Sequence, residues 1–169
     1  MVDFASFVDI LTTLSLAGGL LFAGVQWREG RRESHRQAQI TVLRSFESPD
    51  FVRAMRAIME LPDDLSTDEI AARIGQAGVD LVWYWLGAME GLGVLSFERH
   101  VDIRDVDQVY GGPIIVTFRK LRRHIDQVRA ATGRESMHEW FQWLAEHVEQ
   151  LEHDEGRPAA HVRERDWRP

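Results

Sequence analysis

Glu90 best combines a reactive side chain with an unusual setting. Its neighbours three and four residues away on a helix are Leu86, Gly87, Gly93 and Val94. A carboxylate on such a row is costly unless it is paired, hydrogen-bonded or protonated. It can therefore serve as a perturbed acid or as a binding contact. The plainer reading, which we prefer, is an ion pair to Arg119 or Arg123, or exposure through the glycine-lined gap. The other reactive types form no constellation. The histidines are scattered, and His138-Glu139 lacks the second histidine that a H-E-x-x-H zinc helix needs. Asp102, Asp105 and Asp107 lack the glycine and the terminal glutamate of a calcium loop. With no cysteine, thiolate chemistry and disulfides are excluded. There is no phosphate-cradling glycine loop and no nucleophile elbow. We expect no catalytic residue, no cofactor, no metal and no enzymatic activity.

Arg119, Lys120, Arg122, Arg123 and Arg129 lie along one segment, opposite Ile114, Phe118, Leu121, Ile125 and Val128. Arg119, Arg122 and Arg123 could bind an anion or an acidic partner, although such a row is more often a solvated face. The formal charge of −7 argues against nucleic acid as a partner.

The elements that carry these residues read as helices. A hydrophobic fraction of 44% with 28% charged residues suits a folded chain. Ser48-Pro49 starts a helix with Phe51, Met55, Ile58 and Met59 at helical spacing, and Pro62 ends it. Ser66 and Glu69 make a capping box before Ile70 and Ile74, and Gly75 and Gly78 loosen the chain beyond them. Val79–Phe97 is the central helix, with apolar stripes through Leu81, Trp85, Ala88, Leu92 and Leu95 and through Trp83, Leu86, Val94 and Phe97. Asp80 and Glu90 make it too short a run to cross a membrane. Asp102 and Asp105 cap a short helix through Val109, and Gly111-Gly112-Pro113 reads as a turn. A helix from Ile114 ends at Gly133. A second capping box, Ser136 with Glu139, opens the last one, lined by Met137, Trp140, Phe141, Leu144, Val148 and Leu151. The expected fold is all-α: a compact bundle of about five helices over residues 48–153, its core supplied largely by Trp83, Trp85, Trp140 and Trp143. The charged tail, 154–169, offers no core and is expected to be mobile.

Ahead of the bundle, Phe4 to Trp27 holds one ionisable residue, Asp9. That run matches the ~20 apolar residues needed to cross a hydrocarbon layer of about 30 Å. The first residues carry an acid and no Lys or Arg, unlike a cleaved signal peptide. The positive charge comes after the apolar run, at Arg28, Arg31, Arg32 and Arg36, which orients a single-pass span with its N-terminus outside. Residues 1–28 thus read as a transmembrane anchor in an inner (cytoplasmic) membrane. Residues 29–47 form a juxtamembrane helical linker, and the domain is cytoplasmic. Trp27 and the four arginines fit the lipid headgroup layer. Ser15, Gly19 and Ala23 share one helix face, and such small residues let a partner helix or a second copy approach closely.

Several segments together resemble a bacterial family known only as a domain of unknown function. They are Leu43-Arg44-Ser45-Phe46 with Ser48-Pro49-Asp50-Phe51, the Leu86–Leu95 stretch, Val101-Asp102-Ile103 with Val109-Tyr110-Gly111, and Ile125-Asp126-Gln127-Val128-Arg129. The resemblance implies a membrane helix, a polar linker and a small helical domain, and it implies no activity. The expected function is therefore non-enzymatic: an accessory subunit of a membrane complex or a self-associating scaffold. The alternative is a membrane-tethered sensor that binds an anionic ligand or a soluble partner through the arginine face.

Overall fold

The structure is a computed structural model, and it describes residues 48–156 and 160–168. All of these belong to the second of the two units into which the chain divides, Arg44–Pro169. The described part is all-helical: a bundle of α1 (Pro49–Met59), α2 (Thr67–Phe97), α3 (Ile103–Thr132) and α4 (Glu139–Glu155), followed by the single turn α5 (Ala160–Arg163). The anchor and linker expected over residues 1–47 lie outside the described residues. Among the described residues, no helix is long and apolar enough to cross a membrane.

Local signals set most helix ends as expected. The Ser48 hydroxyl accepts the Phe51 N–H at the start of α1, with Pro49 in the first turn. Ser66 and Glu69 form the reciprocal capping box of α2. The hydrogen bonds from Ser66 hold the Glu69 carboxyl below its ordinary range. Asp102 caps α3, and Gly133 ends it in the left-handed conformation (φ 65°). Gly75 breaks α2 at φ 63°, ψ −178°, a backbone region open essentially only to glycine.

Three expectations are corrected. Gly111-Gly112-Pro113 makes no turn, and the short helix from Asp102 does not end at Val109: α3 runs unbroken from Ile103 to Thr132 with Pro113 inside it. Its buried row passes through Val106, Gly111, Ile114, Thr117, Leu121, Ile125 and Val128, so tertiary burial on both sides outweighs the missing N–H. Ser136 does not cap α4. The residue before that helix is His138, itself left-handed (φ 57°), and no side chain of the segment caps the helix. The four tryptophans also do not share the core. Trp85 is fully buried, but Trp83 is 43% exposed and Trp140 and Trp143 are half-buried. The buried row of α2 is Val82, Trp85, Leu86, Met89, Leu92 and Gly93, rotated from the stripes read in the sequence.

The core lies where α1 and α4 each pack against both long helices. Phe51 of α1 meets Trp85 at 4.9 Å and Tyr110 at 5.5 Å between ring centroids. Phe51 and Ile58 are fully buried, each worth roughly 1.5–3 kcal/mol. The buried indole N–H of Trp85 donates to the Thr117 hydroxyl at 3.1 Å, a polar tie between α2 and α3. Thr117 in turn donates to the Pro113 carbonyl at 2.6 Å.

Candidate functional site

The first turn of α4 is the most elaborated place on the domain. Glu90, in the C-terminal third of α2, reaches across and accepts the Phe141 backbone N–H at 2.9 Å. An acid at a helix N-terminus satisfies an orphan donor and complements the helix dipole. Burial pushes the Glu90 carboxyl up, against the opposing pull of the Phe141 and Trp140 N–H groups. Gly93, one turn further along α2, makes the approach possible. A methyl group there would run into the Trp140 backbone carbonyl. Glu90 therefore has a partner, but neither arginine anticipated for it.

Arg129 shapes the loop on the other side. Its Nε donates to the Met137 carbonyl at 2.9 Å and its Nη1 to the Gln142 side-chain oxygen at 2.8 Å. A longer contact reaches the His138 carbonyl, and Asp126 lies 3.6 Å away.

Between the end of α2 and this turn opens a cleft of about 580 Å³. Phe97, Trp140 and Trp143 line it, with Glu135, Glu139 and Glu146 around them and Arg129 and Gln142 on the same wall. The Phe97 ring lies 4.6 Å from Trp140 and 5.6 Å from Trp143, and Phe97 is 54% exposed. Glu146 accepts one hydrogen bond, from Gln142, whereas Glu135 and Glu139 have no side-chain partner among the described residues. The volume suits a ligand or an inserted side chain. The arrangement offers aromatic surface and net negative charge, and it holds no nucleophile with a base beside it. No group of three or more metal-ligating side chains occurs among the described residues.

A second unusual spot lies earlier along α2, around Trp83. Trp83 packs against His124 (5.9 Å) and His138 (5.7 Å). His124 shares a 2.9 Å hydrogen bond with the Thr67 hydroxyl. The Nε2 atoms of both histidines are buried and have no hydrogen-bond partner among the described residues. Burial pushes both imidazoles down, and for His138 the neighbouring His124 and Arg129 push the same way.

The arginine face is largely occupied. Arg119 and Lys120 pair with Asp63, each at 3.0 Å, and Lys120 also donates to the Leu61 carbonyl. The Lys120 hydrogen bond, with Arg119 beside it, holds the Asp63 carboxyl low. Arg123 reaches Glu69 at 3.3 Å. These contacts tie α3 to the α1–α2 connection. Arg122 stands apart, beside Phe118, Glu146 and Glu149. Ser15, Gly19, Ala23, Trp27, Arg28, Arg31, Arg32 and Arg36 lie outside the described residues.

Sequence reading did not single out the cleft. Its one local signal is Trp140 and Trp143 three residues apart, which puts both rings on one helix face. Phe97 and the carboxylates join them only through the packing of α2 on α4. Neither the curated proteins nor the solved structures contain a match to the chain. Residues 13–148 match the family described as Domain of unknown function (DUF4760), and the chain belongs to that family.

Proposed function

We propose that this member of the DUF4760 family is a non-enzymatic interaction protein, held to the inner membrane by its N-terminal segment. Its helical domain engages a protein through the cleft of Phe97, Trp140 and Trp143. The observation that carries the reading is that cleft, where the exposed Phe97 ring stands against the half-buried Trp140 and Trp143 in a concave surface. Tryptophans that are partly exposed beside a concave surface are typical anchors of protein interfaces. The membrane part of the proposal rests on Phe4–Trp27 and on the arginines after it, which place the N-terminus outside and the domain in the cytoplasm. Ser15, Gly19 and Ala23 supply a face for helix association within the membrane, so the chain acts as an accessory subunit or as a self-associating scaffold. The anionic-ligand alternative is less favoured, because Arg119 and Arg123 already pair with Asp63 and Glu69.

The test uses the full-length chain. It should stay with membranes through an alkaline carbonate wash and migrate in mild detergent as a defined assembly. Trp140→Ala with Trp143→Ala should shift that assembly to smaller size, and Gly19→Leu should weaken it. Full-length protein found free of membrane without detergent would overturn the anchoring. An assembly unchanged by the tryptophan pair would overturn the role of the cleft.

A further inference from the structure

The segment after α4 carries an exposed indole and arginines, which suit an aromatic cleft of net negative charge. Residues 160–168 are exposed throughout, and α5 makes no contact with the other helices. Trp167 is 70% exposed and Val162 46%. Arg163 pairs with Glu164 at 2.7 Å, while Arg165 and Arg168 have no ion-pair partner among the described residues. One part of the domain thus offers aromatic rings ringed by unpaired carboxylates. Another offers an indole that sits between Asp166 and Arg168, with Arg165 two residues before it.

We propose that the cleft receives the tail of a second copy of this chain. Trp167 enters among Phe97, Trp140 and Trp143, and Arg165 and Arg168 meet Glu135, Glu139 and Glu146. Each element of the match has a physical basis. Aromatic rings favour offset or edge-to-face contact with another ring. Guanidinium groups attract aromatic faces and pair with carboxylates in forked geometry. A buried aromatic anchor inside a charged rim is the usual plan of an interface. The cleft also lies at the opposite end of α4 from the tail: 16 residues separate Glu139 from Glu155, about 24 Å of helix. The tail of the same chain would have to double back along its own helix, whereas a neighbouring copy can present its tail directly. The inference rests on the reading of the cleft as an interaction surface and names its occupant.

Because the chain contains no cysteine, placed thiols test this cleanly. Full-length chains carrying Glu135→Cys are mixed in maltoside micelles with chains carrying Arg168→Cys and then oxidised. We expect a disulfide-linked dimer in the mixture, at least tenfold above either variant alone, and its loss when Trp143→Ala is added. A fluorescein-labelled peptide of residues 160–169 should bind the full chain saturably. The Glu139→Gln with Glu146→Gln pair should weaken that binding at least tenfold, and the charge-matched Asp105→Asn with Glu149→Gln pair should leave it unchanged. No cross-link in the mixture, with an intramolecular disulfide in the doubly substituted chain, would overturn the second copy in favour of the chain's own tail. Equal weakening by both charge-removed pairs would reduce the effect to bulk electrostatics and also overturn the proposal. If the native assembly still depends on Trp143 while peptide and cross-link both fail, the second copy is overturned, the cleft remains an interaction surface and its occupant is another protein.

Discussion

The Glu90 carboxylate lies 2.9 Å from the Phe141 backbone N–H, so an acid in the C-terminal third of α2 caps the start of α4. Glu90→Ala removes the acceptor and leaves that N–H without a partner. By analogy with loss of an N-cap it should cost about 0.5–2 kcal/mol. Glu90→Gln keeps an acceptor oxygen and removes the charge whose burial is unfavourable, so it should cost much less. Urea unfolding at neutral pH, monitored by circular dichroism, separates the two. Equal losses would show that the charge, not the acceptor, matters.

Gly93 sets the distance at which that cap works. Gly93→Ala drives a methyl group into the Trp140 carbonyl, which belongs to backbone and cannot rotate away. The expected loss is ~1–3 kcal/mol, the usual range for overpacking. Gly91, with open space around its Cα, provides the control: Gly91→Ala should be neutral or stabilising, because alanine is the better helix former. The comparison is read from the two denaturation midpoints.

Thr117 is the acceptor for the buried Trp85 indole. Thr117→Val keeps the shape and strands that N–H in the core, at an expected cost of about 1–3 kcal/mol. Adding Trp85→Phe removes the stranded donor, so the double variant should lose less than the sum of the two single changes. Additive losses in a double-mutant cycle would mean that the hydrogen bond contributes nothing.

His124 and His138 predict a pH dependence. Burial lowers both folded-state values below 6.5, so the unfolded chain binds these protons more tightly. Stability is then full above about pH 6.5 and falls as the pH drops through the lowered folded values. Glu90 acts in the opposite sense: its carboxyl is raised from 4.5, so its contribution is present at low pH and lost as pH rises through the raised value. The two effects oppose each other, so each is read as the difference in stability between wild type and a variant lacking that group, measured stepwise from about pH 7.5 downward. His138→Asn, an asparagine being tolerated in the left-handed conformation found there, should flatten the first part of the decline. A stability difference between wild type and His138→Asn that stays constant between about pH 7 and 5.5 would exclude the histidine effect at that position.

Much of the helical layout was legible because its signals are local. Ser48-Pro49, the Ser66–Glu69 box, Asp102 and Gly133 each act within one turn of the chain, and each does in the structure what its chemistry implies. The misreadings share a different cause. Gly111-Gly112-Pro113 is a strong local breaker, overruled by a buried row that continues on both sides of it. Ser136 and Glu139 have capping-box spacing, yet the loop places left-handed His138 between them and the cap comes from Glu90 instead.

By itself the sequence determined the all-α class, most of the helix starts and stops, the lack of cysteine chemistry and the apolar, arginine-flanked run at the N-terminus. Only tertiary structure decided which side of each helix is buried, what Glu90 touches, and that Phe97 meets Trp140 and Trp143 beside unpaired carboxylates. The reason is one of range. Caps and breakers act over three or four residues, whereas the cleft joins Phe97 to Trp140, far apart in the sequence, and their meeting depends on how whole helices turn against one another.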